Sequence, residues 1–166
     1  MVPAPNSPSA HWLNRGVDLT WHDLHQQDLS IRDLHDVLAL RNRVFVVEQD
    51  CAYQDIDGLD LAGENRHLLA WAEGGIVGYA RLLAPQDGRP VRIGRLIVGE
   101  QVRGQRLGRR LMEAALVSCR EHWPDAGVEL AAQAHLEPFY ASLGFVPISE
   151  VYDEDGIPHL DMRLED

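Results

Sequence analysis

Alternating and helical patterns of apolar residues divide the first third of the chain into a strand, a helix and a loop. Val17, Leu19 and Trp21 alternate with polar residues, which predicts a half-buried strand over residues 17–23. Ser30 begins the sequence Ser-Ile-Arg-Asp, a variant of the capping box, and apolar residues at helical spacing follow it to about residue 47. Residues 48–65 are rich in turn formers and acids, so a long irregular loop is expected there.

The remaining pattern predicts a three-stranded meander, two helices and a final hairpin. Gly74-Gly75 separates two apolar runs and is a strong hairpin signal. Trp123-Pro124 ends the helix that begins near residue 107, because proline cannot continue it, and Gly144 ends the helix that begins at residue 135. Strands and helices in this order predict an α/β (α+β) fold, a mixed sheet of about seven strands with helices on both faces. The predicted strands cover residues 66–73, 76–84, 93–98 and 128–132, the helices about 107–123 and 135–143, and the hairpin 145–152 and 157–163.

Composition bounds the class of protein. The chain has 166 residues and 45% apolar content, which favours a single globular domain over residues 15–166 after a Pro-rich, disordered lead at residues 1–14. No apolar run approaches the roughly 20 residues that span a bilayer, and the N-terminus lacks the features of a signal peptide. Two cysteines, Cys51 and Cys119, are too few for a disulfide framework, so a cytoplasmic protein is expected.

Charge is distributed unevenly along the chain. The formal net charge is −11, yet residues 92–110 contain six arginines and one acid, Glu100, which is a local charge of +5. This basic segment follows a strand, contains glycines and leads into a helix, an arrangement that favours a bound phosphate at the helix N-terminus. Its small size argues against nucleic acid. The acidic runs at residues 50–64 and 150–166 predict either solvated loops or the border of a site for a cationic acceptor.

Two motifs resemble the GNAT acetyltransferase superfamily. The sequence Arg103-Gly104-Gln105-Arg106-Leu107-Gly108 resembles the superfamily signature Q/R-x-x-G-x-G/A, with Arg106 in place of the middle glycine. Residues 139–145, FYASLGF, resemble the second signature, FYxxLGF. The segments RVFVVEQ, YQDIDGLD, AQAHLEPFY and EVYDEDGIPH are similar to the ElaA-type branch of the superfamily. The resemblance implies a GNAT-like, mostly antiparallel sheet whose fourth and fifth strands splay apart.

The resemblance also implies acetyl-CoA as cosubstrate, with no metal. Backbone N–H groups of the segment Gly104, Gln105, Arg106, Leu107 and Gly108 would hold the pyrophosphate, and Arg103, Arg106, Arg109 or Arg110 would reach outer phosphates. The pantetheine arm would enter the gap between the splayed strands and contact Leu96, Ile97 and Val98, with Gln133 a further candidate contact. On the same analogy, the Leu96 N–H would donate to the acetyl oxygen, where amine attack places negative charge.

Tyr140 matches the superfamily tyrosine that protonates or hydrogen-bonds the departing CoA sulfur. Reference pKa values of about 10 for tyrosine and 8.5 for a thiol make full proton transfer uphill, so a hydrogen bond to the thiolate would be the larger effect. Three residues remain candidates for the base that deprotonates the acceptor: Glu48, His67 and His159.

The predicted function is therefore acetyl transfer from acetyl-CoA to a primary amine by direct attack in a ternary complex. The acceptor would be an amine on a small molecule or a protein, with no nucleic-acid or membrane partner, and a homodimer is compatible with the resemblance. A non-catalytic acyl-CoA-binding sensor or adaptor is the alternative from another class. A Rossmann-type dinucleotide binder is disfavoured by the hairpin meander.

Overall fold

An eight-stranded sheet organises residues 18–165, the part of the chain that the computed structural model describes. The predicted lead at residues 1–14 lies outside these residues. The strands are β1 (Thr20–His25), β2 (Arg66–Ala72), β3 (Gly75–Leu83), β4 (Val91–Val98), β5 (Val128–Gln133), β6 (Phe145–Pro147), β7 (Tyr152–Glu154) and β8 (Ile157–Leu164). Their spatial order is β1-β2-β3-β4-β5-β8-β6, and β7 pairs with β8.

The sheet is mostly antiparallel, as predicted. The β4–β5 pair is parallel, and every other pair within residues 18–165 is antiparallel. The sheet has eight strands instead of about seven because the predicted strand at residues 145–152 is two short strands. Pro147 ends the first of these, since proline has no N–H to donate to the ladder, and both pair with β8.

Helices cover both faces of the sheet, which confirms the predicted layers. On one face α1 (Ile31–Arg41) packs Val37 and Leu40 against Leu69 and Tyr79. On the other face, α2 (Leu107–His122) packs against Leu68 and neighbouring residues, while α3 (Glu137–Ala141) lies near the end of β5. Leu68 and Leu69 point to opposite faces because successive strand residues alternate. No helix in residues 18–165 has the length and apolar content to cross a membrane.

The first helix differs from its prediction in its last two turns. Ser30 caps α1 as expected: its hydroxyl accepts from the Asp33 N–H, and the Asp33 carboxylate accepts from the Ser30 N–H. After Arg41, however, residues Asn42–Glu48 form a π-helical segment. Segments of this kind are frequent at functional sites, and this one carries Glu48. Among the described residues, the first strand covers Thr20–His25, so it ends two residues later than the predicted strand over residues 17–23, whose first residue lies outside the described part.

Strands β4 and β5 touch only at their beginnings. Val91 pairs with Val128 and Arg92 with Glu129, and no further pair joins the two strands. The remaining six residues of β4 therefore run away from β5. This confirms the splayed strands implied by the family resemblance, and it opens the sheet at its centre.

Candidate active site

A cleft of about 790 Å³ enters the sheet where β4 and β5 separate. The π-helical segment, the start of the acidic loop, the start of α2, α3 and the turn before β8 close its remaining sides. This arrangement brings together most of the predicted catalytic residues and the predicted pantetheine contacts. The predicted residues that line the cleft are Glu48, Leu96, Ile97, Val98, Arg103, Gly108, Gln133, Tyr140 and His159.

A second groove of about 490 Å³ adjoins the cleft at the N-terminus of α2. It is lined by the predicted phosphate-binding loop, including Gly104, Arg106, Leu107 and Arg109, whereas Gln105 lines neither space. Val98, Arg103 and Gly108 line both, so the two spaces are continuous. The first turn of α2 thus offers its unpaired N–H groups beside the groove, which suits an anionic ligand.

Arg106 occupies the left-handed region, with φ of 60°, at the residue before α2. This is the position at which the family signature has its middle glycine. Glycine adopts this conformation without steric cost, whereas arginine pays about 1–2 kcal/mol. The loop therefore keeps the glycine-type backbone path and adds a cationic side chain beside the groove.

The basic segment is more neutralised than its sequence indicates. Arg103 donates to Glu48 at 2.6 Å and to the Val98 carbonyl at 3.2 Å. Arg109 pairs with Glu113 at 3.1 Å and also donates to Ser142. Among the six arginines of this segment, Arg106 and Arg110 have no carboxylate partner within the described residues. The local charge of +5 therefore overstates the positive field at the groove, because carboxylates outside residues 92–110 neutralise four of the six arginines.

A bulge interrupts β4 inside the cleft. The β3–β4 register steps from Arg81 opposite Gly94 to Tyr79 opposite Ile97, so β4 has one residue more than β3 over this stretch. Arg95 and Leu96 consequently have no partner residue on β3, and β5 has already diverged. Arg95 lies in the left-handed region with φ of 52°, a conformation that costs a non-glycine residue about 1–3 kcal/mol.

Tyr140 reaches the cleft from α3. Its ring packs edge-on against Phe139 and Phe145, with centroids 5.0 and 6.2 Å apart, and only 7% of the residue is exposed. Burial raises the pKa of the Tyr140 hydroxyl to about 12. The raised pKa keeps the hydroxyl protonated at neutral pH, and since it has no hydrogen-bond partner within residues 18–165, it is free to donate.

His67 does not fit its predicted role as a base. It is fully buried and lines neither the cleft nor the groove. Its Nε2 donates to the Asp60 carbonyl at 2.8 Å, so its Nδ1 accepts from the Tyr79 hydroxyl at 2.7 Å. Burial lowers the pKa of His67, which keeps the ring neutral. His67 is thus a satisfied core histidine that supports the loop, and it is not in reach of a substrate.

His159 and Glu48 both line the cleft, but the His159 ring donates to a backbone carbonyl, whereas the Glu48 carboxylate is paired with an arginine. His159 Nδ1 donates to the Ile157 carbonyl at 2.8 Å, which leaves Nε2 as the proton acceptor, 3.4 Å from Glu154 Oε2. The ring of His159 stacks on Tyr152, and its backbone lies opposite Gln133 across the β5–β8 pair. Glu48, in contrast, is already held by Arg103. Gln133 approaches Gln49 at 3.5 Å.

The acidic loop is neither a solvated run nor, at its centre, the border of a cationic site. Three of its aspartates, Asp55, Asp57 and Asp60, are held by arginines from α1, β3 and β4, and Asp55 and Asp60 are buried. Burial raises the pKa of Asp57 and Asp60, but hydrogen bonds to the arginines outweigh it and lower both values. These ion pairs, named here the loop network, comprise Arg41 with Asp55 and Asp60, Arg81 with Asp57 and Asp60, and Arg95 with Asp55 and Asp57.

Several residues that line the site were not among the predicted ones, and Phe139, Tyr53 and Arg95 are the ones with the clearest contacts there. Phe139 lines both spaces, and its place in the second signature could have identified it. Tyr53 lines the cleft and donates to Asp55 at 2.9 Å. Arg95 was counted only as a charge, because nothing in the sequence indicates a bulge or a left-handed arginine.

Fold, cleft and loop together define a GNAT acetyltransferase, and comparison with known families agrees. The chain belongs to the GNAT acetyltransferase family: residues 25–166 match the family described as "Acetyltransferase (GNAT) domain". Within the family it falls in the ElaA-type branch. It is 54% identical to the protein ElaA of Escherichia coli K12 over 148 residues, which are 89% of this chain and 97% of ElaA.

Two solved structures support the same assignment. The crystal structure of Escherichia coli ElaA matches with a TM-score of 0.85 at 53% identity, over 89% of this chain and 100% of that one. The crystal structure of an acyl-CoA N-acyltransferase from Pseudomonas aeruginosa matches with a TM-score of 0.86 at 46% identity, also over 89% and 100%. The family and its branch, inferred above from short motifs, are thus confirmed over most of the chain.

Proposed function

We propose that this chain is a cytoplasmic N-acetyltransferase that transfers an acetyl group from acetyl-CoA to a primary amine, by direct attack in a ternary complex. One observation carries the proposal: where β4 separates from β5, a cleft lined by the β4 bulge and Tyr140 adjoins the groove at the N-terminus of α2, named here the loop groove. A thioester carrier with an anionic head and a narrow arm suits a space of this shape. The acyl-CoA N-acyltransferase of Pseudomonas aeruginosa, similar over the same region, supports the cosubstrate class.

The loop groove would receive the pyrophosphate. N–H groups at the start of α2 and the side chains of Arg106 and Arg103 supply hydrogen bonds and positive charge there. Gly108 leaves the space beside Val98 open; a Cβ there would be in ordinary van der Waals contact with Val98 Cγ2 at 3.7 Å, and a larger side chain would occupy the groove. The arm would follow the unpaired edge of β4 through Val98 and Ile97 toward Leu96.

In the proposed reaction the amine nitrogen attacks the thioester carbon, a C–N bond forms and the C–S bond breaks. Negative charge develops on the carbonyl oxygen, where the Leu96 N–H of the bulge would stabilise it by about 3 kcal/mol. The electron pair of the C–S bond leaves on sulfur, which accepts a hydrogen bond from the protonated Tyr140 hydroxyl. The products are an acetylated amine and coenzyme A.

His159 is the base we propose for the acceptor amine. Its Nδ1–H is engaged by a backbone carbonyl, so in the neutral ring the lone pair is on Nε2, and Glu154 Oε2, 3.4 Å away, would stabilise the proton once Nε2 has accepted it. Glu48 would need to leave Arg103 before it could act, and His67 is buried. The acceptor half of the cleft is lined by Gln49, Gln54, Glu154 and Asp155, amides and carboxylates that suit a cationic amine of a small molecule or a protein.

A non-catalytic acyl-CoA sensor is the second candidate. The ion pair between Arg103 and Glu48 favours a sensor, because it engages a predicted base, Glu48, with a predicted phosphate ligand, Arg103. Glu48 is then not free to accept a proton from an amine. Both candidates bind coenzyme A, but only an enzyme releases thiol from acetyl-CoA in proportion to added amine.

Calorimetry with coenzyme A, followed by a thiol-release assay across a panel of amines, tests the proposal. The expected result is micromolar to millimolar binding and amine-dependent turnover. Gly108→Trp should abolish both by filling the groove, whereas Gly127→Trp, outside both spaces, should not. Binding without release with any amine would favour the sensor. No binding at millimolar coenzyme A would refute both candidates.

A further inference from the structure

The bulge in β4 has a strained residue beside the proposed oxyanion donor. Arg95 takes the left-handed conformation, and it precedes Leu96 directly. Neither residue has a partner on β3 or β5, so the sheet ladder does not hold this part of the backbone. A strained conformation persists only where the surroundings fix it. At Arg95 these surroundings must act through the side chain.

The Arg95 side chain is held at four points by the acidic loop. Its Nε donates to Asp55 Oδ1 at 2.7 Å, and its Nη2 donates to the Asp55 carbonyl at 3.1 Å and to Asp57 Oδ2 at 3.3 Å. The guanidinium carbon also lies 5.9 Å from the centre of the Tyr53 ring. A planar group held by two carboxylates and a ring has little freedom to rotate.

The anchors are themselves immobilised. Asp55 also accepts from Arg41 Nε at 2.8 Å and from the Tyr53 hydroxyl at 2.9 Å. Asp57 also accepts from Arg81 Nη2 at 2.6 Å. Arg41 and Arg81 are 0% and 3% exposed. Asp55 and Asp57 therefore link the side chain of Arg95 to two buried arginines, one on α1 and one on β3.

We propose that Arg95 is a positioning residue for acyl transfer: tethered by Asp55 and Asp57, it holds the bulge in the conformation that directs the Leu96 N–H at the thioester oxygen. The inference rests on the proposed acetyltransferase function. The Arg95 charge is balanced by the two carboxylates, so the residue acts through geometry. An oxyanion donor displaced by about 1 Å loses much of its effect, which corresponds to roughly a hundredfold in rate.

Arg95→Gly separates the tether from the backbone conformation, because glycine adopts a positive φ without strain but cannot bind Asp55. We expect kcat for thiol release to fall at least tenfold, while KM for acetyl-CoA stays within about threefold. Arg163→Ala is the matched control: it removes an exposed arginine of β8 that donates to Glu129 at 2.8 Å, and kcat should not change. Equal kcat in Arg95→Gly and the wild type would overturn the inference, as would a loss of activity that merely follows the unfolded fraction.

A spectroscopic measurement gives a readout that needs no acceptor. The infrared band of ¹³C-labelled acetyl-CoA should shift to lower frequency on binding the wild type, because the Leu96 N–H polarises the carbonyl, and this shift should be smaller in Arg95→Gly. Should Arg95→Gly not fold, Arg95→Gln, which keeps a hydrogen-bonding side chain, should show an intermediate shift. Identical shifts in wild type and variant would exclude a positioning role. Failure of the wild type to bind acetyl-CoA at all would instead refute the proposed function, and the inference with it.

Discussion

Arg106 combines two properties that the family signature separates, the backbone path of a glycine and a positive side chain. Its φ of 60° places it where glycine is favoured, and it lines the groove at the start of α2. It has no carboxylate partner within residues 18–165, unlike Arg103 and Arg109. Arg106 is thus the arginine whose charge is most available to an anionic ligand in the groove.

Arg106→Ala should weaken coenzyme A binding about three- to tenfold, since a partly exposed contact with a phosphate is worth about 1 kcal/mol. Its thermal stability should stay that of the wild type, because alanine and arginine share the left-handed strain. Titration calorimetry at low and high salt measures the first effect and should show a weaker salt dependence in the variant. Unchanged affinity at low salt would remove Arg106 from the phosphate site.

Tyr140→Phe should lower kcat about a hundredfold with little change in KM for acetyl-CoA, because the ring packing remains and only the donor is lost. The raised pKa of about 12 keeps the hydroxyl protonated, so wild-type activity should not decline between pH 8 and 10 through this residue. The rate of thiol release, measured as a function of pH for the wild type and the variant, tests both the loss of kcat and the pH dependence. Tyr152→Phe is the control, since it keeps the ring that stacks on His159 and removes only a hydroxyl that donates to Asp161 outside the cleft. Full activity in Tyr140→Phe would rule out the proposed role.

Helix α2 packs directly over Gly78 of β3. A Cβ at Gly78 would be 3.0 Å from Leu111 Cδ1 and 3.2 Å from Ala70 Cβ. The Leu111 side chain can give way slightly, but Ala70 is fixed to the neighbouring strand. The packing of α2 on β3 matters for the site, because α2 carries the N–H groups that border the groove.

Gly78→Ala should therefore destabilise the fold by about 1–2 kcal/mol through overpacking. Gly94→Ala, on the next strand, is the matched control, since a Cβ there meets no atom within 4 Å. It should leave stability unchanged or raise it by about 0.5 kcal/mol by restricting the unfolded chain. Urea denaturation of the two variants and the wild type gives the comparison. Equal stability of both variants would show that α2 can move away from the sheet at no cost.

For the molecule as a whole, the loop network joins α1, β3 and β4 to the acidic loop, and four of its six charged groups, Arg41, Arg81, Asp55 and Asp60, are buried. Such a network contributes stability only while its carboxylates are ionised. Arginine hydrogen bonds outweigh burial and hold the pKa of Asp57 and Asp60 below the usual range. The fully buried His67 has a lowered pKa and sits against the same loop. Each of these groups binds a proton more readily in the unfolded chain, so acid favours unfolding.

The free energy of unfolding should accordingly decline as pH falls below about 6.5, where unfolded histidine takes up protons, and decline further below about 4, where unfolded aspartate does. Asp57→Asn should be less stable at pH 7 and should lose less stability between pH 4 and 3 than the wild type. Urea midpoints from pH 3 to 8 measure this, with Asp125→Asn as control, because Asp125 is exposed and forms no ion pair with any residue from 18 to 165. Parallel curves for Asp57→Asn and the wild type would contradict the assigned role of Asp57.

Much of the fold follows from local patterns. Apolar runs predict β2 and β3, Gly74-Gly75 their turn, Ser30 the start of α1 and Trp123-Pro124 the end of α2, because each depends on interactions within a few residues. The loop groove and the place of Tyr140 were likewise predictable, since each motif is one short segment whose neighbours in sequence are its neighbours in space.

The chain's amino-acid pattern thus specified its elements, its family and the loop that borders the groove. Tertiary structure alone decided which charges meet: Arg95 with Asp55 across 40 residues and Arg103 with Glu48 across 55. It also decided that His67 is buried and that β4 contains a bulge. These features depend on strand register and on contacts between distant segments, and a one-residue change of register would alter all of them without changing any local pattern.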